Sequence, residues 1–485
     1  MTIARWLRPV TLVVSLCLAG CASWEGLAPS GTLAQGSALK ADQTLSGISY
    51  SPSGWPRTDW WTRLGDSQLD GLIDEALRNS PDLELADARA RQAQAIAEQY
   101  DADRGPNVQG NASITRSRLS RRDDPTGQGD RLSTLRGLSV GFAYTFDLWG
   151  GKRAAMESAL GQARAAEVDR QAARITVSAN VARAYSMLAY AYALQDISRE
   201  DVSRTQRMLT LSQQRVDAGL DSQYQLQQTQ SLAAAATSQA TAAEQAVTEA
   251  RIELAALLGQ GPDRGLALAR PQRLTPAPLM LPAQLPADLL GRRPDIVANR
   301  WRVEAASRGI DASKANFYPN IDLTANLGVQ SLLGDALFGA PSRFWNVGPA
   351  LSLPIFDSGR RRADLAGRDA DYDVAVAQYN QTVSRALADV SQAMTRLRSL
   401  DQQIGEQQHA RDIARDSYDL AMQRYGSGIG NYLDALTIEQ QLLTAERTLA
   451  ELQQNQIDTS VLLVQALGGG FHADAAAAAM TENAQ

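Results

Sequence analysis

Apolar and polar residues alternate along four short stretches of the chain, which predicts four β-strands that each have one apolar face. The alternation runs through residues 108–114, 138–146, 321–329 and 345–355. Closing a barrel from strands of this pattern takes at least about eight strands, so a single chain cannot close one. The pattern therefore predicts that two or three chains assemble, and the alternative is a pair of soluble hairpins from a sandwich.

Proline-free stretches predict unusually long helices, and the longest of them lies between Pro125 and Pro262. As single helices, residues 152–215 would be roughly 95 Å long and the return arm 221–258 roughly 55 Å. Residues 221–260 contain 11 Ala and 8 Gln, so the apolar face of this arm is shallow. Such seams favour helices packed side by side around a hollow over a solid bundle, with an ordinary coiled-coil hairpin as the alternative.

The chain contains an internal repeat, because the same landmarks recur in the same order after 209–213 positions. The landmark pairs are Ser80-Pro81-Asp82 with Arg293-Pro294-Asp295, Pro106-Asn107 with Pro319-Asn320, Phe146-Asp147 with Phe356-Asp357, Arg215…Gly219 with Arg424…Gly428, and Leu258-Gly259 with Leu467-Gly468. Each copy predicts a helix, two strands, a very long helix, a tight turn and a long helix. The predicted repeats span 59–265 and 287–470, with a Pro-rich linker at 266–286 and an Ala-rich tail at 471–485.

Residues 1–20 predict a secretory signal peptide, since Arg5 and Arg8 precede a short apolar stretch. That stretch ends in Leu18-Ala19-Gly20-Cys21, which resembles the lipobox of bacterial lipoproteins and makes Cys21 the predicted lipidation site. Several acyl chains would give a stable anchor for the extended segment 21–58. The residue after Cys21 is not Asp, which favours the outer membrane. The alternative is an ordinary signal peptide with a chance cysteine.

Composition and motifs argue against several classes of function. The 485-residue chain has a formal net charge of −6, so we expect no nucleic-acid partner. Two Cys and two His supply neither a disulfide framework nor a metal-ligand pattern. The sequence has no Walker-type loop, nucleophile elbow or paired-histidine motif. We therefore expect no enzymatic activity, no catalytic residue, no cofactor and no metal site. No other stretch reaches 18 apolar residues, so no transmembrane helix is predicted.

The motifs, in the order in which they occur along the chain, resemble those of TolC-like outer-membrane efflux proteins, in the lipoprotein branch called the NodT family. The resemblance covers about residues 22–470 and is carried by Trp60-Trp61, Asn79-Ser80-Pro81-Asp82-Leu83, Arg292-Arg293-Pro294-Asp295-Ile296, Phe317-Tyr318-Pro319-Asn320-Ile321 and Leu353-Pro354-Ile355-Phe356-Asp357. It implies an α+β membrane protein with four barrel strands and two long α-helical hairpins per chain, in an internal two-fold repeat. Three chains would form a twelve-strand outer-membrane β-barrel continued by a periplasmic α-helical barrel.

The resemblance also implies a function and a set of partners. The protein would be a homotrimer held in outer-membrane lipid that works with a periplasmic membrane-fusion adaptor and an inner-membrane efflux pump, of the RND type. It would be a passive duct exporting drugs or other toxic solutes, and it would extend from the outer membrane into the periplasm. One alternative is the conduit of a type I protein secretion system. An alternative of a different class is a non-channel coiled-coil lipoprotein scaffold.

The tips of the two helical hairpins are the candidate functional site. Arg215…Gly219 and Arg424…Gly428 predict chain reversals, because glycine accepts the positive φ that often follows a helix. The resemblance implies that the adaptor contacts these tips. The alternative is that the two motifs form turns and do nothing else.

The resemblance places a periplasmic constriction at Leu433 and Asp434, just after the second tip. Three Asp434 carboxylates around a trimer axis would form a ring of like charge. Many family members have a further acidic residue where this chain has Thr437, so a double acidic ring is not expected. Closure there must be reversible, which shallow Ala and Gln seams along 360–467 would allow. The alternative for Asp434 is a solvated carboxylate at a helix start.

Overall fold

The computed structural model describes residues 23–34, 55–118, 132–272, 285–332, 336–430 and 432–473, with short pieces of the segments between them. The predicted signal peptide, Cys21 and the tail beyond residue 473 lie outside the described residues. The chain divides into two compact units. Among the described residues, the strand unit comprises 23–33, 90–166 and 299–379, and the helical unit comprises those of 34–89, 167–298 and 380–473.

The same series of elements occurs twice along the chain. The first series is α1 (Ser67–Asn79), α2 (Pro81–Ala102), β1 (Asn107–Arg118), β2 (Leu132–Phe146), α3 (Gly151–Asp217) and α4 (Gln223–Leu257). The second series is α5 (Leu285–Arg292), α6 (Pro294–Ala315), β3 (Asn320–Ser331), β4 (Arg343–Ser352), α7 (Arg360–Gly426) and α8 (Tyr432–Ala466). Short additional elements are the single turns Trp60–Leu64, Asp263–Leu266 and Ala340–Ser342 and the parallel two-residue strands Ser49–Tyr50 and Met280–Leu281.

Three of the four pairs of corresponding helices have equal lengths, and the exception is α1 with 13 residues against α5 with 8. α2 and α6 each have 22 residues, α3 and α7 each have 67, and α4 and α8 each have 35. The predicted fold class, with four strands and two long helical hairpins per chain, is confirmed. The predicted domain boundaries stay predictions, because each compact unit combines segments from both repeats. Within the described residues, no helix is long and apolar enough to cross a membrane.

The four strands form one antiparallel sheet in the order β1-β2-β3-β4, and its register brings the apolar positions onto one face. Val108 pairs with Phe142, Phe142 with Ala325, and Ala325 with Val347, so one apolar row crosses all four strands. Because alternate residues of a strand share a face, the neighbouring rows on this face are also mainly apolar. In the single chain this face is open, with Val108 and Val347 exposing 64% and 61% of their surface.

The last strand ends earlier than the alternation in the sequence suggests. β4 ends at Ser352, although the alternation continues to Ile355. Pro354 has no backbone N–H to donate to a strand ladder, which explains the early end. Pro349 is nevertheless tolerated inside β4, because β4 is an edge strand with one side free of the ladder.

Aspartates explain the Phe-Asp landmark of each repeat. The side chain of Asp147 accepts hydrogen bonds from the backbone N–H groups of Lys152 and Arg153, at 3.0 and 2.8 Å. Asp357 accepts one from the backbone N–H of Arg361 at 3.4 Å. The first N–H groups of a helix have no partner within it, so a carboxylate there stabilises the helix start. Each landmark therefore begins one of the two 67-residue helices.

Glycines explain the landmark that ends each repeat. Gly259 has a φ of +70°, and a Cβ there would overlap the carbonyl group of Asn79. Gly468 has a φ of +87°, and a Cβ there would overlap the carbonyl group of Arg292. Asn79 and Arg292 each precede by two residues the proline that opens α2 or α6. The end of each repeat therefore lies against the backbone near its own beginning, which requires a residue without a side chain.

The largest apolar core of the helical unit surrounds α1. Leu69 and Ile73 are fully buried there, together with Tyr185 of α3 and Leu254 of α4. The hydroxyl group of Tyr185 donates to the carboxylate of Asp66 at 2.6 Å, and Asp66 also caps the start of α1. The spacing of the apolar residues in α1 follows the helical period, so one stripe of the helix faces this core.

The two return arms bury different kinds of side chain. α4 buries Ala236, Ala243 and Ala250, as its composition suggests. α8 instead buries large side chains, among them Leu442 and Val461. The expectation of a shallow Ala and Gln seam is therefore wrong for the second arm. Large apolar residues in α8 bury more area per turn than alanine would.

Candidate functional site at the hairpin tips

Both hairpins reverse at a glycine in the left-handed conformation. Gly219, between α3 and α4, has a φ of +70°, and Gly428, between α7 and α8, has a φ of +79°. The backbone N–H of Leu220 donates to the carbonyl group of Arg215 at 2.8 Å, which closes the end of α3. The N–H of Gly430 donates to the carbonyl group of Arg424 at 2.9 Å, which closes the end of α7. The predicted reversals are thus found at the two glycines.

A charged network links the two tips within one chain. The guanidinium group of Arg215 forms two hydrogen bonds with the carboxylate of Asp221, at 2.9 and 3.1 Å. The third nitrogen of Arg215 donates to the backbone carbonyl of Tyr425 at 3.0 Å, and the guanidinium group lies 4.6 Å from the centre of that ring. The hydroxyl group of Tyr425 donates to Asp221 at 2.6 Å. Three side chains from two hairpins therefore form a closed set of contacts.

The ionisation of this network suits its geometry. Hydrogen bonds from Arg215 and Tyr425 hold the pKa of Asp221 below its usual range. Burial, together with the negative charge of Asp221, raises the pKa of Tyr425 to about 12. At neutral pH the carboxylate is therefore a full-charge acceptor and the phenol remains a donor. Charge-assisted hydrogen bonds of this kind are roughly twice as strong as neutral ones.

Apolar packing and a further hydrogen bond lie directly beneath the network. Met208 of α3 packs against Tyr425, Tyr432 and Ala435, and all four side chains are buried. The hydroxyl group of Thr229 on α4 donates to the hydroxyl oxygen of Tyr432 at 3.0 Å. The two tips thus share a small core to which all four long helices contribute a residue.

The structure separates the predicted tip residues by role. Arg215 lies in the network, whereas the side chain of Arg424 is exposed and its backbone carbonyl closes the turn. Sequence reasoning missed Asp221 and Tyr425, the two partners of Arg215. Tyr425 lies inside the Arg424…Gly428 motif, and a tyrosine in a turn motif was the signal that could have found it.

The predicted constriction residues lie on an exposed face of α8. Leu433 exposes 56% of its surface, and Asp434 and Thr437 are also exposed, whereas Ala435 between them is buried. The hydroxyl group of Thr437 donates to the backbone carbonyl of Leu433 at 2.8 Å. The three side chains form one exposed patch near the second tip. Their place relative to a trimer axis stays a prediction.

The segment 23–33 is attached to α7 in the strand unit. Asp373 accepts hydrogen bonds from the backbone N–H groups of Ser30 and Gly31, at 2.9 and 2.7 Å. The bond from Gly31, followed by that from the Ser30 side chain, lowers the pKa of Asp373. The ammonium group of Lys314 lies 5.0 Å from the ring centre of Trp24. The chain that follows the predicted lipidation site is therefore held on the strand unit.

The same fold occurs in solved outer-membrane channels. The outer membrane protein VceC of Vibrio cholerae matches with a TM-score of 0.79 at 36% identity, over 86% of this chain and 100% of VceC. The family model described as outer membrane efflux protein matches residues 72–260 and 285–469. The chain therefore belongs to the outer membrane efflux protein family, as the resemblance of its motifs predicts.

Two relatives extend the match in sequence. The fusaric acid resistance protein FusA of Burkholderia cepacia is 40% identical over 366 residues, which cover 74% of this chain and 68% of FusA. The pyoverdine export outer membrane protein OpmQ of Pseudomonas putida is 32% identical over 487 residues, which cover 98% of this chain and 99% of OpmQ. The prediction of an outer-membrane efflux channel subunit is confirmed.

Proposed function

We propose that the protein is a passive trimeric duct that carries small molecules across the outer membrane, supplied by an inner-membrane pump and a periplasmic adaptor. The observation that supports the proposal is the four-stranded sheet, which has a continuous apolar face and ends in the edge strands β1 and β4. A sheet of this kind suits contact with lipid on one side and with water on the other.

The edges of the sheet favour a trimer. An edge strand presents backbone N–H and C=O groups that must be paired wherever lipid excludes water. Pairing β4 of one chain with β1 of the next would satisfy these groups around a ring. Three chains supply twelve strands, which is more than the roughly eight that a closed cylinder needs. The row from Val108 to Val347 would then face lipid.

The names of the relatives favour small molecules as the cargo. FusA is named for resistance to fusaric acid, and OpmQ for pyoverdine export. Multidrug resistance outer membrane protein MdtP of Escherichia coli is 31% identical over 88% of this chain. By this analogy, toxic solutes are the expected cargo and a type I secretion conduit is the second candidate. A coiled-coil scaffold in water would leave the open apolar face of the sheet exposed, which disfavours this alternative.

The hairpin tips are the proposed contact for the adaptor, and the pump is proposed to be of the RND type. Leu220 and Ile429 flank the two turn glycines and expose 64% and 73% of their surface. A partner that covers both turns would remove these apolar side chains from water. Arg215 and Gly219 shape the first tip, and Arg424 and Gly428 shape the second.

Cys21 is proposed to carry the lipid anchor. It lies two residues before the segment that Asp373 holds on α7. That attachment would keep the acyl chains close to the strand unit, which is the part of the chain suited to the membrane. The lipid chains would then strengthen a membrane insertion that the strands already favour.

Leu433, Asp434 and Thr437 are proposed to line the periplasmic constriction of the duct. Their side chains are exposed on one face of α8, directly after the tip network. Three copies of Leu433 would narrow the passage by apolar contact, and three copies of Asp434 would attract cations and repel anions. Thr437 would add a neutral ring at the next turn.

A matched pair of substitutions in β3 tests the proposed function. Leu327 lies on the apolar face of the sheet and Gln330 on the opposite face. Leu327→Arg should cost about 2–4 kcal/mol if the side chain faces the middle of the membrane, whereas Gln330→Arg should be tolerated. The measurements are heat-stable trimer recovered from outer membranes, by native mass spectrometry, and restored solute resistance in a strain that lacks the gene. Equal trimer yields from both variants, or a stable folded monomer, would contradict the proposal.

A further inference from the structure

A buried carboxyl group on α8 has no part in the tip network. Glu439 lies seven residues after Tyr432, about two helical turns from the tip, and exposes only 2% of its surface. Among the described residues, its Oε1 atom has no hydrogen-bond partner although it is fully buried. An unpaired carboxylate in such a place is costly, so the packing favours the neutral acid.

Charged and titratable groups face Glu439 from three of the four long helices. The α4 side of the site consists of Leu, Ala and Gln side chains. The titratable and charged neighbours are Asp201, Arg204 and Arg207 of α3, Tyr418 of α7, and Tyr432 and Arg447 of α8. Glu446 of α8 and Arg415 of α7 are connected to this set through Arg204.

The buried cation in the seam between α3 and α8, Arg204, forms its ion pair with a carboxylate other than Glu439. Arg204 exposes 3% of its surface and donates to Glu446 at 3.0 Å. Glu446 also accepts from Arg415 at 2.8 Å, so two cations share it. The Nε atom of Arg204 is buried and has no partner among the described residues. The seam between α3 and α8 therefore holds an unpaired donor and an unpaired acceptor, while its ion pair lies two turns further along.

Glu439 shares a cavity with a second carboxyl group. Asp201 exposes 6% of its surface, and both side chains line a cavity of about 170 Å³. Burial, followed by the charge of Asp201, raises the pKa of Glu439 to about 7 against the opposing charges of Arg204 and Arg207. Burial also raises the pKa of Asp201. This packing of the helices therefore retains a proton near neutral pH.

We propose that Glu439 is a proton-binding switch that keeps α8 packed on α3 while the acid is neutral and loosens this seam when the acid ionises. The direction follows from linkage, because the packed seam binds the proton more tightly than a solvated glutamate does. Between the solvated pKa of 4.5 and the packed value of about 7, the ratio of packed to loosened seam falls up to about tenfold per pH unit. Above about pH 7 the ratio of packed to loosened seam no longer changes with pH.

The consequence for transport rests on the proposed function, whereas the proton site itself does not. Loosening α8 from α3 would free the second hairpin next to the residues proposed to line the constriction. The duct would then open more readily as the pH rises from acidic values toward neutral. Acid would keep the second hairpin packed.

Hydrogen exchange on the full-length protein in detergent tests the switch. Peptides covering 425–450 are compared at pH 5.5, 6.5, 7.5 and 8.5, after correction for intrinsic exchange rates. We expect wild-type protection to fall between pH 5.5 and 7.5 and then level off. Glu439→Gln, which mimics the neutral acid, should keep the acidic level of protection throughout. Glu451→Gln, an exposed glutamate on the same helix, should behave as wild type.

A second variant checks the origin of the effect. Asp201→Asn removes a charge that raises the proton affinity of Glu439, so the transition should move to lower pH without disappearing. Equal pH responses of wild type and Glu439→Gln would overturn the proposal. A transition that occurs at the same pH in Asp201→Asn as in wild type would also overturn it. Planar-bilayer recordings of the same proteins separate the two proposals. If hydrogen exchange shows the pH transition but the protein never conducts, the proton site is supported and the proposed duct is refuted.

Discussion

The two helical hairpins have helices of equal length, but one acidic residue of each, Asp221 and Glu439, is held in the opposite way to the other. In the first hairpin, Asp221 is paired with Arg215 and Tyr425, and these hydrogen bonds lower its pKa. In the second, the buried Oε1 atom of Glu439 has no hydrogen-bond partner in the part of the chain that the structure describes, and burial raises the pKa of Glu439 to about 7. A shared backbone plan therefore leaves room for opposite responses to pH. Strong acid weakens the first contact, and a rise toward neutral pH weakens the second.

The return arms α4 and α8 also differ in the side chains that they bury. α4 presents alanines such as Ala243 to its neighbours, and α8 presents large side chains such as Leu442 together with Glu439 and Glu446. A smooth partner surface accepts a helix in more than one position, whereas buried charges select one register. The buried charges of α8 therefore restrict its register, which the alanines of α4 do not do.

The largest expected effect concerns the feature that both repeats share. Gly468→Ala and Gly259→Ala should each lower the free energy of unfolding by more than about 4 kcal/mol, because a Cβ would overlap the adjoining carbonyl group at a positive φ. Thermal unfolding of the detergent-solubilised protein measures this. Gly367→Ala on α7 is the control, since a Cβ there meets nothing within 4 Å. It should be neutral or stabilising by about 1 kcal/mol. A normal melting temperature for Gly468→Ala would show that the repeats do not end alike.

The tip network should give the next largest effect. Asp221→Asn and Tyr425→Phe should each cost about 1.5–3 kcal/mol, since each removes a partly buried hydrogen bond to a charged group. The double variant should cost less than the sum of both. Because its pKa is lowered, Asp221 stabilises the tip above its ordinary value of 3.8 and loses this effect as the pH falls below it. Asp416→Asn, at an exposed position of α7, is the control. Additive effects of the two variants would contradict a shared network.

Asp434→Asn should have little effect on stability, within about 0.5 kcal/mol, because the side chain is exposed. Its expected effect is on ion passage, since the substitution removes up to three charges from one ring. Planar-bilayer recordings should show a weaker preference for cations and weaker block by divalent cations added on the periplasmic side. Unchanged conductance, selectivity and block would place Asp434 away from the constriction and favour a solvated carboxylate.

The smallest expected effect on the fold is that of Cys21→Ser. The strands supply their own apolar face, so partial membrane insertion should persist without the lipid. Mass spectrometry of the mature N-terminal peptide should find an acylated Cys21 in the wild type and impaired processing in the variant. An unmodified N-terminus at another residue would refute the lipidation site.

The sequence determined the elements of this protein, because their signals are local. Alternation with a period of two marked the strands, absence of proline allowed the 67-residue helices, and recurring landmarks marked the repeat. The glycines at the reversals were also predictable, since a turn that needs a positive φ is specified within a few residues. The family resemblance rests on the order of these same landmarks.

Only the tertiary structure decided which distant side chains meet. Arg215 and Tyr425 are 210 residues apart, and their contact depends on the packing of one hairpin against the other. Glu439 resembles any other glutamate on a long helix in the sequence. Its buried Oε1 atom, which no described residue pairs, is recognised only when Arg204 is found bound to Glu446. Local periodicity specifies a helix and its buried stripe, but the charge state of a buried group depends on the full set of neighbours that packing assembles.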